Sequence, residues 1–212
     1  MDFSFTQDEE LLMQSAMEFC EKEVKPNLRD WLEERKFPRE LVRKCAQVGW
    51  MGAAVPEELG GSGLSNVELG ILSEVMGKYE VPAQIFLTVH FARQLIHVRD
   101  EGLRDELIRE LLAGDLLICG AFTEPGCGSD AAAITTRAVR EGDHYVVNGE
   151  KAFVSGPGIS DVYIISARTW EEAPRPHLGI SLLLVEKERD GVEPYELLSL
   201  IHISEPTRPR LI

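Results

Sequence analysis

Apolar residues recur at helical spacing through the first half of the chain and give way to short alternating runs in the second. Thr6-Gln7-Asp8-Glu9 has the form of a capping box, and Leu12, Ala16, Phe19 and Cys20 follow on one helical face, so a helix is expected from there to about Lys25. Pro26 ends it or starts a new segment, and Trp31 to Lys36 reads as a short helical turn before Pro38. Pro38-Arg39-Glu40 opens a further helix with Leu41, Val42, Cys45 and Val48, closed near Gly49. Ser65-Asn66-Val67-Glu68 repeats the capping pattern, and Leu69, Leu72, Met76 and Tyr79 make an inner stripe. After Pro82, Ile85, Phe86, Val89, Phe91, Ala92, Leu95 and Ile96 surround a helix on most sides, which predicts central burial. Glu101 to Leu112 is amphipathic, with Leu103, Leu107 and Leu111 expected inward and Gly114 as the stop.

Past Asp115 the period changes. The runs 117–122, 135–140, 144–147, 152–155, 162–167 and 180–185 are β-type and separated by Gly, Asp, Pro or Asn. Six short runs at this spacing predict an antiparallel barrel or sandwich, giving an α+β chain with an all-α domain over 1–115 and a β domain over 116–198. Asn148-Gly149 is the dipeptide favoured in two-residue hairpin turns, so Lys151, Phe153 and Ser155 are expected on one face of the strand behind it. Residues 170–177, with two prolines, read as a surface loop. From Ser199 neither period survives, and Ser199 to Ile212 is similar to the peptide that a sequencing-library adapter encodes in frame. We expect this tail to be non-native; a stop codon directly after Ile212 in clean genomic DNA would contradict that.

Composition narrows the functions available. Lys plus Arg is 22 against 36 Asp plus Glu, a net charge of −14, which argues against a nucleic-acid partner held by general electrostatics, so any phosphate must be gripped locally. No apolar run approaches a bilayer span, and Met1-Asp2-Phe3-Ser4 is not a secretory leader, so no membrane association and a cytoplasmic location are expected. Cys20, Cys45, Cys119 and Cys127 show no paired C-x-x-C spacing, and reduced thiols are the default. His90 and His97 are seven residues apart, two turns or roughly 10 Å on a helix, too far to share one metal ion. The glycines of 53–63 lack both the strand–Gly-x-Gly-x-x-Gly–helix context and a Gly-Lys-Thr/Ser ending, and a flexible connector is expected there.

The candidate chemistry sits between Ala121 and Asp130. Pro125, Gly126 and Gly128 stop regular structure and bring backbone N–H groups close to whatever lies there, while Thr123 and Ser129 add hydroxyls. Such a loop can hold a polar planar ring or a phosphate, and with the 148–155 segment it has the form of a cofactor clamp. Thr123-Glu124-Pro125-Gly126-Cys127-Gly128-Ser129-Asp130, followed by Gly142-Asp143-His144-Tyr145-Val146-Val147-Asn148-Gly149-Glu150-Lys151 and Phe153-Val154-Ser155, resembles the middle-domain signature of the acyl-CoA dehydrogenases. The likeness extends more weakly from Asp2 to about Leu198, and the family also has a Pro-Glu-x-x-Gly-Gly-x-Gly loop where Pro56 to Gly63 stands. Cys127 departs from the Ala often found in the family; both are small.

The resemblance implies an FAD-dependent oxidoreductase of fatty acid metabolism. A carboxylate removes the α-proton of an acyl-CoA thioester while the β-hydride passes to flavin N5, and an electron-transfer flavoprotein reoxidises the ring. It also implies that Phe122, Thr123, Gly128 and Ser129 belong to the flavin-binding set, with Ser129 touching the acyl-CoA as well. Phe153 is implied to lie against the isoalloxazine, Ser155 to reach the N5 edge, and Val154 to contribute backbone. The alternative for Phe153 is barrel core, and for Ser155 an ordinary strand hydroxyl. Glu124 and Asp130 are assigned to loop hydrogen bonding rather than to the base, and Cys127 to packing, since nothing basic lies beside it in sequence. In the family the catalytic Glu lies in a C-terminal helical bundle or on an adjoining helix, and the bundle builds the tetramer and completes the FAD adenosine site. No residue here matches that Glu, so the 212-residue polypeptide is expected to be inactive, with a homotetramer expected at full length. An acyl-CoA oxidase-like flavoenzyme and a non-catalytic flavin or acyl-CoA-binding module are the other readings.

Overall fold

The computed structural model describes residues 4–194; the expected non-native tail lies outside them. The chain divides into two compact units, one of residues 4–119 with 159–162 and one of residues 120–158 with 163–194.

The first unit is helical. α1 (Gln7–Phe19) starts at Thr6, whose hydroxyl accepts from the Glu9 N–H while the Glu9 carboxylate accepts from the Thr6 N–H, the reciprocal pair that the sequence predicts. It runs on as a π-helical turn, Cys20–Val24, which the helical period does not signal. α2 (Leu28–Glu34) and α3 (Arg39–Gln47) follow. α4 (Asn66–Lys78) opens on a second capping box at Ser65, and packs against α1. α5 (Ala83–Leu95) and α6 (Glu101–Ala113) complete the unit, the latter capped by the Asp100 carboxylate on the Leu103 N–H and stopped by Gly114 at φ 77°. A side chain at Gly114 would also stand 2.9 Å from the Arg43 Cα, so the stop and the α3–α6 approach need the same glycine.

The core follows the predicted stripes in part: Val48, past the end of α3, is exposed, and Phe86, Phe91 and Ile96 are half-buried, so α5 is covered on one side and not centrally buried. Ile85, Val89, Ala92 and Leu95 of α5 are buried, but so are Gln84 and Thr88, whose side chains donate to the Ile118 carbonyl at 2.8 and 3.2 Å. On α6 the buried positions are Leu107, Ile108 and Leu111, whereas Leu103, in the first turn, is exposed. Residues 51–63 are not a loose connector. Gly63 and Leu64 N–H donate to the Val55 and Ala53 carbonyls at 2.9 Å each, and a side chain at Gly61 would stand 2.6 Å from the Val55 carbonyl carbon. Residues 159–162 are tied to the helices by Asp161, which accepts from Arg39 at 2.6 Å and from the Leu117 N–H at 2.8 Å.

The strands are β1 (Ile118–Ala121), β2 (Arg137–Glu141), β3 (His144–Asn148), β4 (Val162–Arg168) and β5 (Ile180–Glu186), in the order β1-β4-β2-β3 with β5 also on β4. β2 and β3 form an antiparallel hairpin, while β2 meets β4 in parallel at Arg137 and Arg168. The sheet is therefore mixed, and it is not the closed antiparallel barrel or sandwich that six alternating runs suggested. The hairpin turn falls at Gly142-Asp143, with Gly142 at φ 66°, and not at Asn148-Gly149. Beyond Asn148 the 152–155 run forms no strand. The Ala152 N–H is spent on the Thr123 carbonyl, Phe153 takes a left-handed φ of 56°, and Pro157 lacks a donor, so no ladder can propagate.

No helix among the described residues is long and apolar enough to cross a membrane. His90 is exposed, near Ser73 Oγ at 3.1 Å, and His97 lies past the end of α5; the described residues contain no cluster that could hold a metal ion.

Candidate functional site

Glu124-Pro125-Gly126-Cys127 closes on itself: the Glu124 and Cys127 backbones exchange both hydrogen bonds, at 3.0 and 3.1 Å. Pro125 and Gly126 at the centre are the residues such a reverse turn favours. This turn, directly after β1 and Phe122-Thr123, sets the loop's backbone before any ligand is considered.

The carboxylate of Glu124 then fixes the turn to the sheet. It is 4% exposed, and its Oε2 accepts from the Thr135 N–H at 2.6 Å and the Thr135 hydroxyl at 2.7 Å. Oε1 accepts from the Thr136 N–H at 3.0 Å and from Lys151 Nζ at 2.8 Å. Burial alone would raise the carboxyl's pKa, but Lys151 and the threonine donors outweigh it and hold the group far below the usual carboxylate range. Glu124 is thus an anchor ionised at neutral pH with its lone pairs in use, as the loop-bonding assignment requires, and not a proton acceptor there.

Residues 149–155 come to the same place. Gly149 leaves β3 so close to Thr136 that a side chain there would stand 2.7 Å from the Thr136 Cα. Lys151 and Ala152 then meet the loop. The Ala152 N–H donates to the Thr123 carbonyl at 2.8 Å, and Lys151 Nζ reaches the Phe122 carbonyl at 3.3 Å. Thr123 is half-buried, whereas Phe122, Gly128, Ser129 and Ser155 are exposed and Val154 is intermediate. Phe153 is 69% exposed and held in a conformation that costs a non-glycine residue about 1 kcal/mol or more. The core alternative for Phe153 is therefore excluded, and the strand alternative for Ser155 falls with the missing strand. Thr123 and the 152–153 segment are brought directly together; Ser129 and Ser155 stand on the same two segments, and no bond between them is present.

Sequence reasoning passed over Lys151, whose partners lie 15 to 29 residues away and leave no local pattern. Its one signal was a lone basic residue in an otherwise uncharged run after Glu150. Cys127 is half-buried, while Cys20, Cys45 and Cys119 are buried; all four thiols are free, and burial pushes those of Cys20 and Cys119 up to about 11.

The family model for the N-terminal domain of acyl-CoA dehydrogenase matches residues 6–115, and that for the middle domain matches residues 119–200. The chain is 37% identical over 190 residues to the mitochondrial isobutyryl-CoA dehydrogenase of Dictyostelium discoideum, covering 88% of this chain and 45% of that protein. Among solved structures, the acyl-CoA dehydrogenase of Geobacillus kaustophilus superposes with a TM-score of 0.79 at 30% identity, over 90% of this chain and 51% of that one. The FAD complex of PigA gives 0.78 at 27% identity, over 90% and 51%. The chain spans about half the length of the relatives it matches. With both family domains matched in order, the chain belongs to the acyl-CoA dehydrogenase family.

Proposed function

We propose that the surface shared by residues 122–129 and 152–155 binds the isoalloxazine of FAD, and that the chain is the flavin-bearing part of an enzyme that dehydrogenates acyl-CoA thioesters at the α,β positions. The observation that carries this is the bond from the Ala152 N–H to the Thr123 carbonyl, which puts the Thr-Glu-Pro loop and Phe153 in one frame. The residues fit a planar ring. Phe122 and Phe153 offer exposed aromatic faces, and side chains added at Gly126 or Gly128 would meet nothing within 4 Å, so that side of the loop is open. Phe153 is held exposed in a left-handed conformation, and strain of this kind clusters at ligand sites.

FAD, when bound, supplies the hydride acceptor. The chain's part is to donate hydrogen bonds toward the ring from Thr123, Ser129 and Ser155, with backbone from Phe122, Gly128 and Val154, and to stack Phe153 upon it. Such fixed donors stabilise charge that develops during reaction without reorganising. Ser129 also meets the acyl-CoA in this reading. Glu124 is not the base, since Lys151 and two threonines occupy it. No described residue matches the family's catalytic Glu, so we expect no turnover of acyl-CoA by the 212-residue polypeptide. The expected partners are an electron-transfer flavoprotein and, in the whole enzyme, three further copies; the expected location is cytoplasmic, tested by cell fractionation.

The test is FAD content of Thr123→Ala combined with Phe153→Ala, measured by flavin absorbance on purified protein. The reading expects a severalfold loss; FAD content equal to that of the unaltered chain removes it.

A further inference from the structure

Lys151 is nearly buried, with 10% of its side chain exposed, and an ammonium has three N–H donors to satisfy. Three acceptors receive them: Glu124 Oε1 at 2.8 Å, Ser166 Oγ at 3.1 Å and the Phe122 carbonyl at 3.3 Å. These acceptors are not a random set. Phe122 and Glu124 flank Thr123 on both sides, and Ser166 lies on β4 and itself donates to the Phe122 carbonyl at 3.4 Å. The residue after Lys151 bonds Thr123 directly, and the next is Phe153. One ammonium thereby joins the loop, the strand behind it and the 151–155 segment.

Charge separates positioning from direct electrostatic help. A lone ammonium beside a flavin would stabilise the anionic reduced ring, but the Glu124 carboxylate at 2.8 Å cancels most of that field. What remains is geometry. We infer that Lys151 is a positioning residue for the flavin surface, setting Thr123 and Phe153 in register through Phe122, Glu124 and Ser166. This rests on the flavin reading of the two segments.

Amide hydrogen exchange of the full 212-residue chain, with and without FAD, tests it in Lys151→Met, Lys151→Arg and Ser166→Ala. Removing one partner of a buried pair should speed exchange in 122–136 and 151–155 by about 100-fold, with α4 and α5 unchanged, and weaken FAD binding at least about tenfold. Ser166→Ala should move the same segments less, and Lys151→Arg, which keeps the charge, should restore most of the protection. Unchanged exchange in both segments, or faster exchange with undiminished FAD affinity, overturns the inference. Should Lys151→Met unfold throughout, absence of a local change in Ser166→Ala overturns it equally. Failure of the unaltered chain to take up FAD would instead remove the flavin reading, and the exchange data would still decide whether Lys151 holds the two segments together.

Discussion

Replacing Glu124 by Gln keeps the size of the side chain and removes its charge. The carboxylate receives four donors, two on each oxygen, at 2.6 to 3.0 Å. An amide has one oxygen, so either orientation turns its NH2 toward the Thr135 pair or toward the Thr136 N–H and Lys151. One backbone N–H is then left without an acceptor, and the ammonium of Lys151, 10% exposed, loses its counter-charge. Breaking a buried pair on one side costs about 3–5 kcal/mol, which for a chain of this length lowers the melting temperature by roughly 6–20 °C. Thermal unfolding followed by circular dichroism measures it. The combined Glu124→Gln, Lys151→Met protein should regain part of the loss, because the orphaned charge is gone. The pH dependence has a definite sign. The folded carboxyl lies below its unfolded value of about 4.3, so its stabilisation is complete above that pH and is lost as pH falls through it toward the folded value. The gap between the two proteins should therefore be largest at pH 7 and narrow below about pH 4. A melting temperature within about 1 °C of the unaltered chain, or a gap that does not change with acid, would refute the anchor argument.

Three further outcomes are expected. Phe153→Asn should leave stability unchanged or raise it by up to about 1 kcal/mol, because Asn tolerates the left-handed conformation, while weakening FAD binding; a loss of about 3 kcal/mol in thermal unfolding would show a packed core residue instead. Gly149→Ala should destabilise by about 1–3 kcal/mol through its clash with Thr136, whereas Gly126→Ala, with open space around it, should stay within about 0.5 kcal/mol; equal effects in thermal unfolding would contradict the close approach. With a thiol reagent at neutral pH, one of the four cysteines, Cys127, should react ahead of the others, and two or more fast thiols would contradict the burial of Cys20, Cys45 and Cys119.

The helical half was legible because its signals are local. Both capping boxes, the Gly114 stop and the buried stripes of α4 and α5 are set by residues within a turn or two of one another. The π-helical turn at Cys20–Val24 and the exposure of Leu103 were not, since each depends on which neighbour covers the helix. In the β half five of the six runs were nearly right in position and the 152–155 run formed no strand, while the mixed arrangement was not legible: alternation marks a half-buried strand without saying which strand lies beside it. Asn148-Gly149 misled because the same dipeptide that suits a hairpin turn also suits a close backbone approach, and Thr136 supplies that approach. The loop and the 151–155 segment were recognisable as a motif, while the ion pair that joins them spans 27 residues and became visible only in three dimensions.

The central claim is that Thr123 and Phe153 present one surface to FAD. Hydrogen exchange of the unaltered chain, compared with and without saturating FAD, tests it most directly. The account predicts that peptides covering 122–130 and 150–155 gain protection together, and over the same FAD concentration range. Protection confined to one of them, or found only elsewhere in the chain, would contradict it.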